Sequence, residues 1–255
     1  MSATKIGVSA NSLVRLANHL GFDSYDELRE PFRKSLVARY DAPAGEGWID
    51  RMSTAGNFGR AHAKSIRNEI DIVLQSLRLL TAEKAESAVT LLMQANVAYV
   101  TATRATYALA YYFHYVGRMA LPNLQLIPRH MGSPVDEMIS IGEEDVLLAI
   151  TFPPYSADTI NALRLAKRKG AKLILISDSE LIAPNIETDL FLKTSLQSLH
   201  HFSCFAGAMA VLECLLSHLV GQGGSEAQTR IRSYEALRED FGAYWQSKQP
   251  KLRRT

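Results

Sequence analysis

The sequence predicts a three-layer, doubly wound α/β domain with a five-stranded parallel sheet, preceded by a partial all-α domain. From about residue 91, short apolar runs alternate with segments of helical periodicity. Continuously apolar runs of four to six residues are typical of strands that helices cover on both faces. Before that point, apolar residues recur at spacings of three and four, the period of a helix. We therefore expect helices first and the parallel sheet after them.

The composition excludes several classes of protein. The chain has 255 residues, of which 47% are hydrophobic and 21% charged, and this balance describes a globular protein with a core of its own. Its 28 basic and 26 acidic residues give a net charge of +2, and four of the basic ones lie in the last eight residues. The remaining 24 basic and 26 acidic side chains sum to −2. Nucleic-acid binding would therefore need a local element.

Nothing in the sequence indicates a membrane segment, a leader or a metal site. The longest apolar run, 204–220, is interrupted by polar residues and predicts a buried helix. Residues 1–20 contain no continuous apolar block. Cys204 and Cys214 lie ten positions apart, a spacing that matches no common zinc or redox motif. We expect a cytoplasmic protein that binds no membrane, no metal and no cofactor.

Two helices are predicted near the N-terminus. Ser9 is a favoured N-cap residue and Gly21 a favoured C-cap residue, so the first helix should lie between them. The second should begin after Asp23 or Ser24, and loop-like residues 41–47 should link it to the rest of the chain. The residues expected to face inward are Leu13, Leu16, Ala17 and Leu20 in the first helix, and Leu28, Phe32 and Leu36 in the second.

A helical pair is predicted from Phe58 to about Met93, joined near residues 80–82. Its expected apolar positions are Ile66, Ile70, Val73, Leu74, Leu77 and Leu80. The strands are predicted at 97–100, 124–127, 146–151, 172–176 and 190–193. Helices are predicted at 107–121, 157–169, 203–220 and 225–246, the last packing through Ile231, Leu237, Phe241 and Trp245. We expect the tyrosine-rich helix that begins at Tyr107 to serve the core and a subunit contact.

Polar residues follow the first and third strands, where parallel sheets bind ligands. Thr103, Arg104 and Thr106 follow the first strand, and hydroxyls beside a basic side chain suit an anionic ligand. The alternative there is a solvated helix cap with an ordinary surface arginine. After the third strand, Ser156 either caps the next helix or donates to a bound phosphate, and Thr159 lies in the first helical turn.

Weaker candidates follow the fourth and fifth strands. Ser177 and Ser179 are short polar residues of a type that is also common in turns. His200 and His201 are candidates for acid–base chemistry, although adjacent histidines in a loop are more often ligand contacts or surface residues. Of the two, His201 is included among the predicted ligand contacts.

These strand ends resemble the SIS (sugar isomerase) domain, a phosphosugar-binding module, over residues 96–221. The segments that carry the resemblance best are ITFPPYSADT, residues 150–159, and ISDS, residues 176–179. The family's Gly-x-Gly-x-Ser motif falls on Ala102, Arg104 and Thr106. Its Ser-x-Ser-Gly-x-Thr motif falls on Thr151, Pro153, Pro154 and Ser156. The changes remove two glycines from one motif and place two prolines, which lack N–H donors, in the other.

Residues 6–36 resemble the second half of the helix-turn-helix that precedes the SIS domain in RpiR-type transcriptional regulators. The matching string is VSANSLVRLANHLGF, residues 8–22. The resemblance implies a recognition helix whose DNA-facing residues are Ser9, Asn11, Ser12, Arg15 and His19. It also implies a preceding bracing helix, which we expect this chain to lack, so that Leu13 and Leu16 would be partly exposed.

The resulting hypothesis is an RpiR-type regulator that senses a phosphorylated sugar and binds operator DNA as a homodimer or homotetramer. Four regions are predicted: 1–42, a partial helix-turn-helix domain; 43–90, a linker and connecting helices; 91–224, the SIS domain; and 225–255, a C-terminal helix and basic tail. The alternative is a phosphosugar isomerase of the same fold. We expect that the protein is not an enzyme, because an isomerase needs a base and no strand-end carboxylate is placed to act as one apart from Asp158 and Asp178.

Overall fold

The computed structural model describes residues 9–40, 47–130 and 132–243, with the side chains of 10 and 33–40 excepted. The chain divides into two compact units, residues 1–64 and 65–255. Most of the predicted linker, residues 41–46, lies outside the described residues.

The first unit contains short helices whose ends follow capping rules. Helix α1 spans Ala10–His19, α2 spans Tyr25–Tyr40 and α3 spans Gly47–Ser53. The Ser9 hydroxyl accepts a hydrogen bond from the Ser12 N–H at 3.2 Å, which confirms Ser9 as the N-cap. Gly21 adopts a φ of +87°, and the Phe22 N–H donates to the Ala17 carbonyl, the pairing that closes a helix after such a glycine.

The packing of these helices corrects part of the sequence prediction. Ala17 and Leu28 are buried as expected, and Leu13 and Leu16 are partly exposed, Leu16 by 47%. Leu20 and Phe32, like Leu16, were predicted to face inward and are exposed, Phe32 by 64%. Helical periodicity identifies an apolar stripe but does not show whether a neighbouring element covers it. The side chain of Leu36 lies outside the described part of the chain.

Helices α4, Gly56–Leu79, and α5, Ala82–Gln94, confirm the predicted helical pair. The Thr81 hydroxyl accepts from the Lys84 N–H at 3.3 Å and so begins α5. The buried stripe of α4 differs from the predicted one, because Ile72 and Ser76 are buried whereas Ile70 and Leu74 are partly exposed. Ser76 is accommodated because its hydroxyl donates to the Ile72 carbonyl at 2.8 Å.

All five strands are parallel and form one sheet in the order β2-β1-β3-β4-β5. The strands are β1 Ala98–Thr101, β2 Leu124–Ile127, β3 Val146–Ile150, β4 Lys172–Ser177 and β5 Leu190–Lys193. The predicted doubly wound, five-stranded parallel sheet is thereby confirmed, with strand limits within one residue of those expected.

Helices cover both faces of the sheet. Alternate strand residues such as Val100 and Leu148 join a core with α5, whereas their neighbours Tyr99 and Leu147 join a second core on the other face. The covering helices are α6 Tyr107–Gly117 and α8 Ala206–Gln222 on the first face and α7 Ala157–Arg168 on the second. Two 3₁₀ turns that the sequence did not predict, Arg104–Thr106 and Pro134–Glu137, lie in the connections.

The C-terminal helix α9, Gly224–Asp240, packs differently from the prediction. Ala227 is buried, and the Arg230 side chain donates to the Met119 and Ala120 carbonyls at 3.2 and 2.7 Å. Leu237 and Phe241 are exposed, Phe241 by 83%, so the predicted packing face is wrong at these two positions. Trp245 lies outside the described residues. Among the helices that the structure describes, none is long and apolar enough to cross a membrane.

The buried centre of the sheet yields a stability prediction. Leu148→Ala removes a fully buried side chain from β3 and leaves a cavity, so we expect a loss of about 2–5 kcal/mol of unfolding free energy. The matched control is Leu181→Ala, at a side chain that is 89% exposed and should change stability by less than about 0.5 kcal/mol. Urea unfolding followed by circular dichroism measures both values. Equal losses in the two variants would contradict the assigned core.

Candidate functional site

A cavity of about 960 Å³ opens at the carboxyl edge of the sheet. Strand β1 leads into α6 on one face and its neighbour β3 leads into α7 on the other, so the two connections diverge and leave a crevice. The residues that line the cavity come from the connections after β1, β2 and β3 and are Thr103, Arg104, Tyr107, Pro128, Arg129, His130, Gly132 and Asp158.

Two of the predicted ligand residues, Thr103 and Arg104, line this cavity. Arg104 adopts a φ of +58°, a left-handed conformation that costs a residue with a side chain roughly 1–3 kcal/mol. This is the position of the second glycine in the Gly-x-Gly-x-Ser motif. The chain therefore keeps the glycine-type backbone and adds an exposed guanidinium at the cavity wall.

Thr106 and Thr159 brace Thr103. The Thr106 hydroxyl donates to the Thr103 carbonyl at 2.7 Å, and the hydroxyl oxygens of Thr103 and Thr159 lie 3.2 Å apart, within hydrogen-bond distance. Thr159 is fully buried. These bonds tie the connection after β1 to the first turn of α7. The predicted ligand contacts of Thr106 and Thr159 remain predictions.

Ser156 is the N-cap residue of α7, but its hydroxyl makes no capping hydrogen bond. That hydroxyl is therefore not used to start the helix, which was one of its two predicted roles. Ser156 is half-buried and lies two residues before Asp158, outside the set that lines the cavity. Its contact with a phosphate stays a prediction.

The other three predicted ligand residues lie apart from the cavity lining. Ser177 is buried and donates to the Thr151 carbonyl at 2.7 Å, while Ser179 accepts from the Leu181 N–H at 3.2 Å. His201 is exposed before α8, where its ring meets Phe202 edge-on at 5.4 Å. The structure does not bring these three residues together at the cavity, and their roles in ligand binding remain predictions.

The connection after β2 also contributes to the cavity, although it was not among the predicted ligand sites. Arg129 and His130 both line the cavity, and they follow β2 after a single proline. Applying the strand-end rule to β2, as to β1 and β3, would have found them. Tyr107 was assigned to the core and a subunit contact, yet it lines the cavity and its hydroxyl donates to the Pro128 carbonyl at 3.0 Å.

Arg129 is held by Glu137. The Arg129 Nε donates to one carboxylate oxygen at 2.9 Å and the Arg129 backbone N–H donates to the other at 2.7 Å. Burial by itself raises the pKa of Glu137, but the hydrogen bonds and charge of Arg129 outweigh it and hold the pKa below its ordinary value of 4.5. The Arg129 side chain is thus oriented before any ligand binds.

Asp178, one of the two carboxylates considered as a base, lies outside the cavity lining. The Tyr155 hydroxyl donates to its Oδ1 at 3.0 Å. The Ser177 hydroxyl oxygen lies 3.2 Å from the same oxygen, but its one proton is given to the closer Thr151 carbonyl. Burial, together with the hydrogen bond and charge of Asp178, raises the pKa of Tyr155 to about 12. The tyrosine therefore stays protonated at neutral pH as the donor to Asp178. Asp158, the other candidate, lines the cavity and is exposed.

The described residues contain no group of three or more His, Cys, Asp or Glu side chains that could hold a metal ion. Both cysteines are half-buried. The Cys204 thiol donates to Glu69 at 2.9 Å, and burial, followed by this acceptor, raises its pKa. A raised pKa disfavours the nucleophilic thiolate.

The predicted DNA-facing residues lie on α1 or at its N-cap. Ser9, Asn11, Ser12, Arg15 and His19 are all exposed. The hydroxyls of Ser9 and Ser12 lie 2.9 Å apart and bond to each other at the start of the helix. Arg15 and His19 are four residues apart and so share a face of α1.

The Glu137 pair yields a pH prediction. A carboxylate with a depressed pKa stabilises the folded protein above its unfolded pKa, and this contribution is lost as the pH falls through the folded pKa. Glu137→Gln should therefore lower the unfolding free energy at pH 7 by up to about 1 kcal/mol, and the difference from wild type should shrink at acid pH. Urea unfolding at pH 7 and below pH 4.5 measures it. A difference that grows on acidification, or an equal effect of Glu180→Gln at an exposed glutamate, would contradict the assignment.

Comparison with known proteins identifies the domain that forms the sheet. Residues 91–195 match the family model of the SIS domain. Among curated proteins, none matches the chain.

Solved structures share its fold at low sequence identity. The sugar isomerase domain of an RpiR transcription factor from Sphaerobacter thermophilus is similar with a TM-score of 0.63 and 19% identity, covering 68% of this chain and 97% of that one. The Vibrio vulnificus NanR protein complexed with ManNAc-6P is similar with a TM-score of 0.60 and 15% identity, covering 95% and 85%. A protein from Listeria monocytogenes, assigned as a sugar-phosphate isomerase by inference, has a similar structure. Its TM-score is 0.52 and its identity 14%, covering 62% of this chain and 86% of that one. The α/β unit of this chain thus contains a SIS domain over residues 91–195.

Proposed function

We propose that the chain is an RpiR-type transcriptional regulator whose SIS domain binds a phosphorylated sugar and thereby controls binding to operator DNA. The observation that carries this proposal is the cavity at the carboxyl edge, where Arg104 and Arg129 lie in the wall. Two of the similar structures support it: one is a transcription factor, and the other, similar over 95% of this chain, holds a phosphosugar.

The chemistry of the wall suits a phosphosugar. A guanidinium presents N–H donors in a planar fork that matches phosphate oxygens. Tyr107 and Pro128 add apolar surface on which the carbon face of a sugar ring can lie. The volume of about 960 Å³ is within the usual range for small-molecule sites. Thr103, held by Thr106 and Thr159, supplies a hydroxyl at the same wall.

Helix α1 is the proposed DNA reader. It exposes Arg15 and His19 together with short polar side chains at its N-terminal end, the composition of a helix that meets base edges and phosphates. We propose that the effector acts by a population shift in a homodimer or homotetramer. Ligand binding would change the spacing of two α1 helices on a palindromic site in the cytoplasm.

A phosphosugar isomerase is the second candidate. The observation that favours it is that Asp158 and His130, side chains able to transfer protons, both line the cavity. A solved structure described as a sugar-phosphate isomerase shares the fold. We propose binding without turnover, and incubation with each sugar phosphate followed by product analysis separates the two candidates: turnover of any of them would contradict the regulator proposal.

The effector prediction concerns Arg104. In isothermal titration against a panel of sugar phosphates, at least one should bind the wild-type protein, and Arg104→Gln should weaken that binding about tenfold, the loss of one charge-assisted contact of about 1.4 kcal/mol. Ser156→Ala should also weaken it, because the Ser156 hydroxyl makes no capping hydrogen bond and can donate to the ligand. Arg168→Gln, an exposed arginine at the other end of α7, is the control and should bind as the wild type does. Binding that is unchanged in Arg104→Gln would contradict the site.

The DNA prediction concerns Arg15. Duplexes selected from a random pool by the wild-type protein should bind Arg15→Ala more weakly, and the slope of log affinity against log salt should fall by about 1 if Arg15 contacts a phosphate. Arg51→Ala, which removes the same charge from α3, should leave both quantities unchanged. Failure of the wild-type protein to enrich any duplex would count against the DNA-binding half of the proposal.

A further inference from the structure

A row of hydrogen bonds crosses the carboxyl edge of the sheet and ends on helix α4. The Ser177 hydroxyl donates to the Thr151 carbonyl at 2.7 Å, and the Thr194 N–H donates to the Ser177 carbonyl at 2.9 Å. Next along the chain, the Ser195 N–H donates to the Ser76 hydroxyl of α4 at 2.9 Å. We call these five residues the polar row. All of them except Ser195 are buried, with at most 2% of the residue exposed.

An aromatic contact provides a second route from the connection after β3 to α4. Phe152, which follows Thr151, is buried, and its ring stacks on that of Phe205 with 5.4 Å between the centroids. Two residues later, Gly207 of α8 lies so close to α4 that a Cβ at this position would be 2.1 Å from the Ser76 hydroxyl oxygen. A shift of α8 against α4 at this point therefore disturbs Ser76.

The connection from β5 to α8 holds α4 at further points. Asn68 donates to the Gln197 carbonyl at 3.1 Å, the Ser195 hydroxyl donates to Gln75 at 3.0 Å, and the Cys204 thiol donates to Glu69 at 2.9 Å. These residues all belong to the second compact unit. The connection is thus attached to α4 over about two and a half helical turns.

The other end of the polar row is joined to the ligand cavity. Thr151 and Phe152 begin the connection that leads to α7, and Asp158 in the first turn of α7 lines the cavity. The hydroxyl oxygen of the adjacent Thr159 lies 3.2 Å from that of Thr103, another lining residue. A ligand in the cavity therefore contacts the end of the segment that Thr151 begins.

The polar row also contains an unsatisfied group. The Thr194 hydroxyl is buried, and within the part of the chain that the structure describes it has no hydrogen-bond partner. A buried hydroxyl without a partner costs free energy. A second arrangement of the row that pairs this hydroxyl regains part of that cost. Elements with two discrete arrangements are the ones that carry coupling between separated sites.

We propose that the polar row transmits ligand binding from the cavity to α4 and so regulates the DNA reader. Helix α4 spans Gly56–Leu79 without a break, beginning in the first compact unit and continuing in the second. A rigid helix passes a displacement along its length. A displacement at Ser76 is therefore passed toward the unit that contains α1. The inference rests on the proposed function, because it needs a ligand in the cavity.

Hydrogen exchange measured by mass spectrometry tests the proposal on the full chain, with glucose 6-phosphate, glucosamine 6-phosphate and N-acetylmannosamine 6-phosphate as probes. A probe that binds in isothermal titration should slow exchange in residues 65–79 of α4 about fivefold or more in the wild-type protein. Ser76→Ala removes the joint between the polar row and α4. The probe should then bind within about threefold of its wild-type affinity but slow α4 by less than about twofold.

Gln75→Ala is a second variant, for the case that Ser76→Ala does not fold. It removes one exposed side chain that bonds to the Ser195 hydroxyl, and it should reduce the slowing of α4 in the same direction. Val89→Ala is the matched control, because it truncates an equally buried side chain of α5 outside the polar row. It should keep the full slowing of α4. Residues 226–240 of α9, also outside the row, report any general stabilisation by the ligand.

Two results would overturn the inference and leave the proposed ligand site intact. One is a bound probe that slows α4 no more than α9 in the wild-type protein. The other is a slowing of α4 that survives Ser76→Ala, or survives Gln75→Ala where Ser76→Ala does not fold. If none of the three probes binds, the proposed phosphosugar site fails, and this inference fails with it.

Discussion

The parallel direction of all five strands is the constraint on which the rest of the structure depends. It brings the last residue of every strand to one edge of the sheet, so that connections far apart in sequence become neighbours. Between β1 and β3 the chain leaves the sheet toward opposite faces, and the crevice that opens there is the cavity. Apolar runs such as Val146–Ile150 make this arrangement possible because they are buried on both faces.

Side-chain hydrogen bonds hold the walls of the cavity in place. Thr103 is tied to Thr159, Tyr107 to the Pro128 carbonyl, and Arg129 to Glu137. Each of these bonds joins one connection at the strand ends to another element, so the wall is organised before a ligand arrives. Preorganisation of this kind lowers the entropy lost on binding. The exposed guanidinium of Arg104, on a left-handed backbone, is the feature that distinguishes this wall from a glycine-lined one.

The sheet could be predicted from the sequence because a strand that is buried on both faces consists almost entirely of apolar residues. The runs at β2 and β5 matched their strands to the residue, and the N-cap at Ser9 lay where a polar side chain precedes a helix. Side-chain exposure was harder to predict, because it depends on neighbours distant in sequence. Phe32 and Phe241 fit helical stripes but meet no covering element in the structure described.

The residues of the cavity were likewise only partly predictable from the sequence. Thr103 and Arg104 were recognised from their place after a strand, whereas Arg129 was missed because its importance depends on β2 lying beside β1. Ser177 is predicted to contact the ligand, and in the structure its hydroxyl donates to the Thr151 carbonyl and so joins β4 to the end of β3. Its ligand contact stays a prediction. A hydroxyl at a strand end satisfies the backbone as readily as it satisfies a phosphate, and the sequence alone does not distinguish the two.

A crystal structure of the protein soaked with a sugar phosphate would test the central claim most directly. The account predicts the ligand in the cavity at the carboxyl edge, with a phosphate oxygen about 3 Å from the Arg104 guanidinium. A ligand bound elsewhere on the SIS domain, or a phosphate with no contact to Arg104, would contradict it.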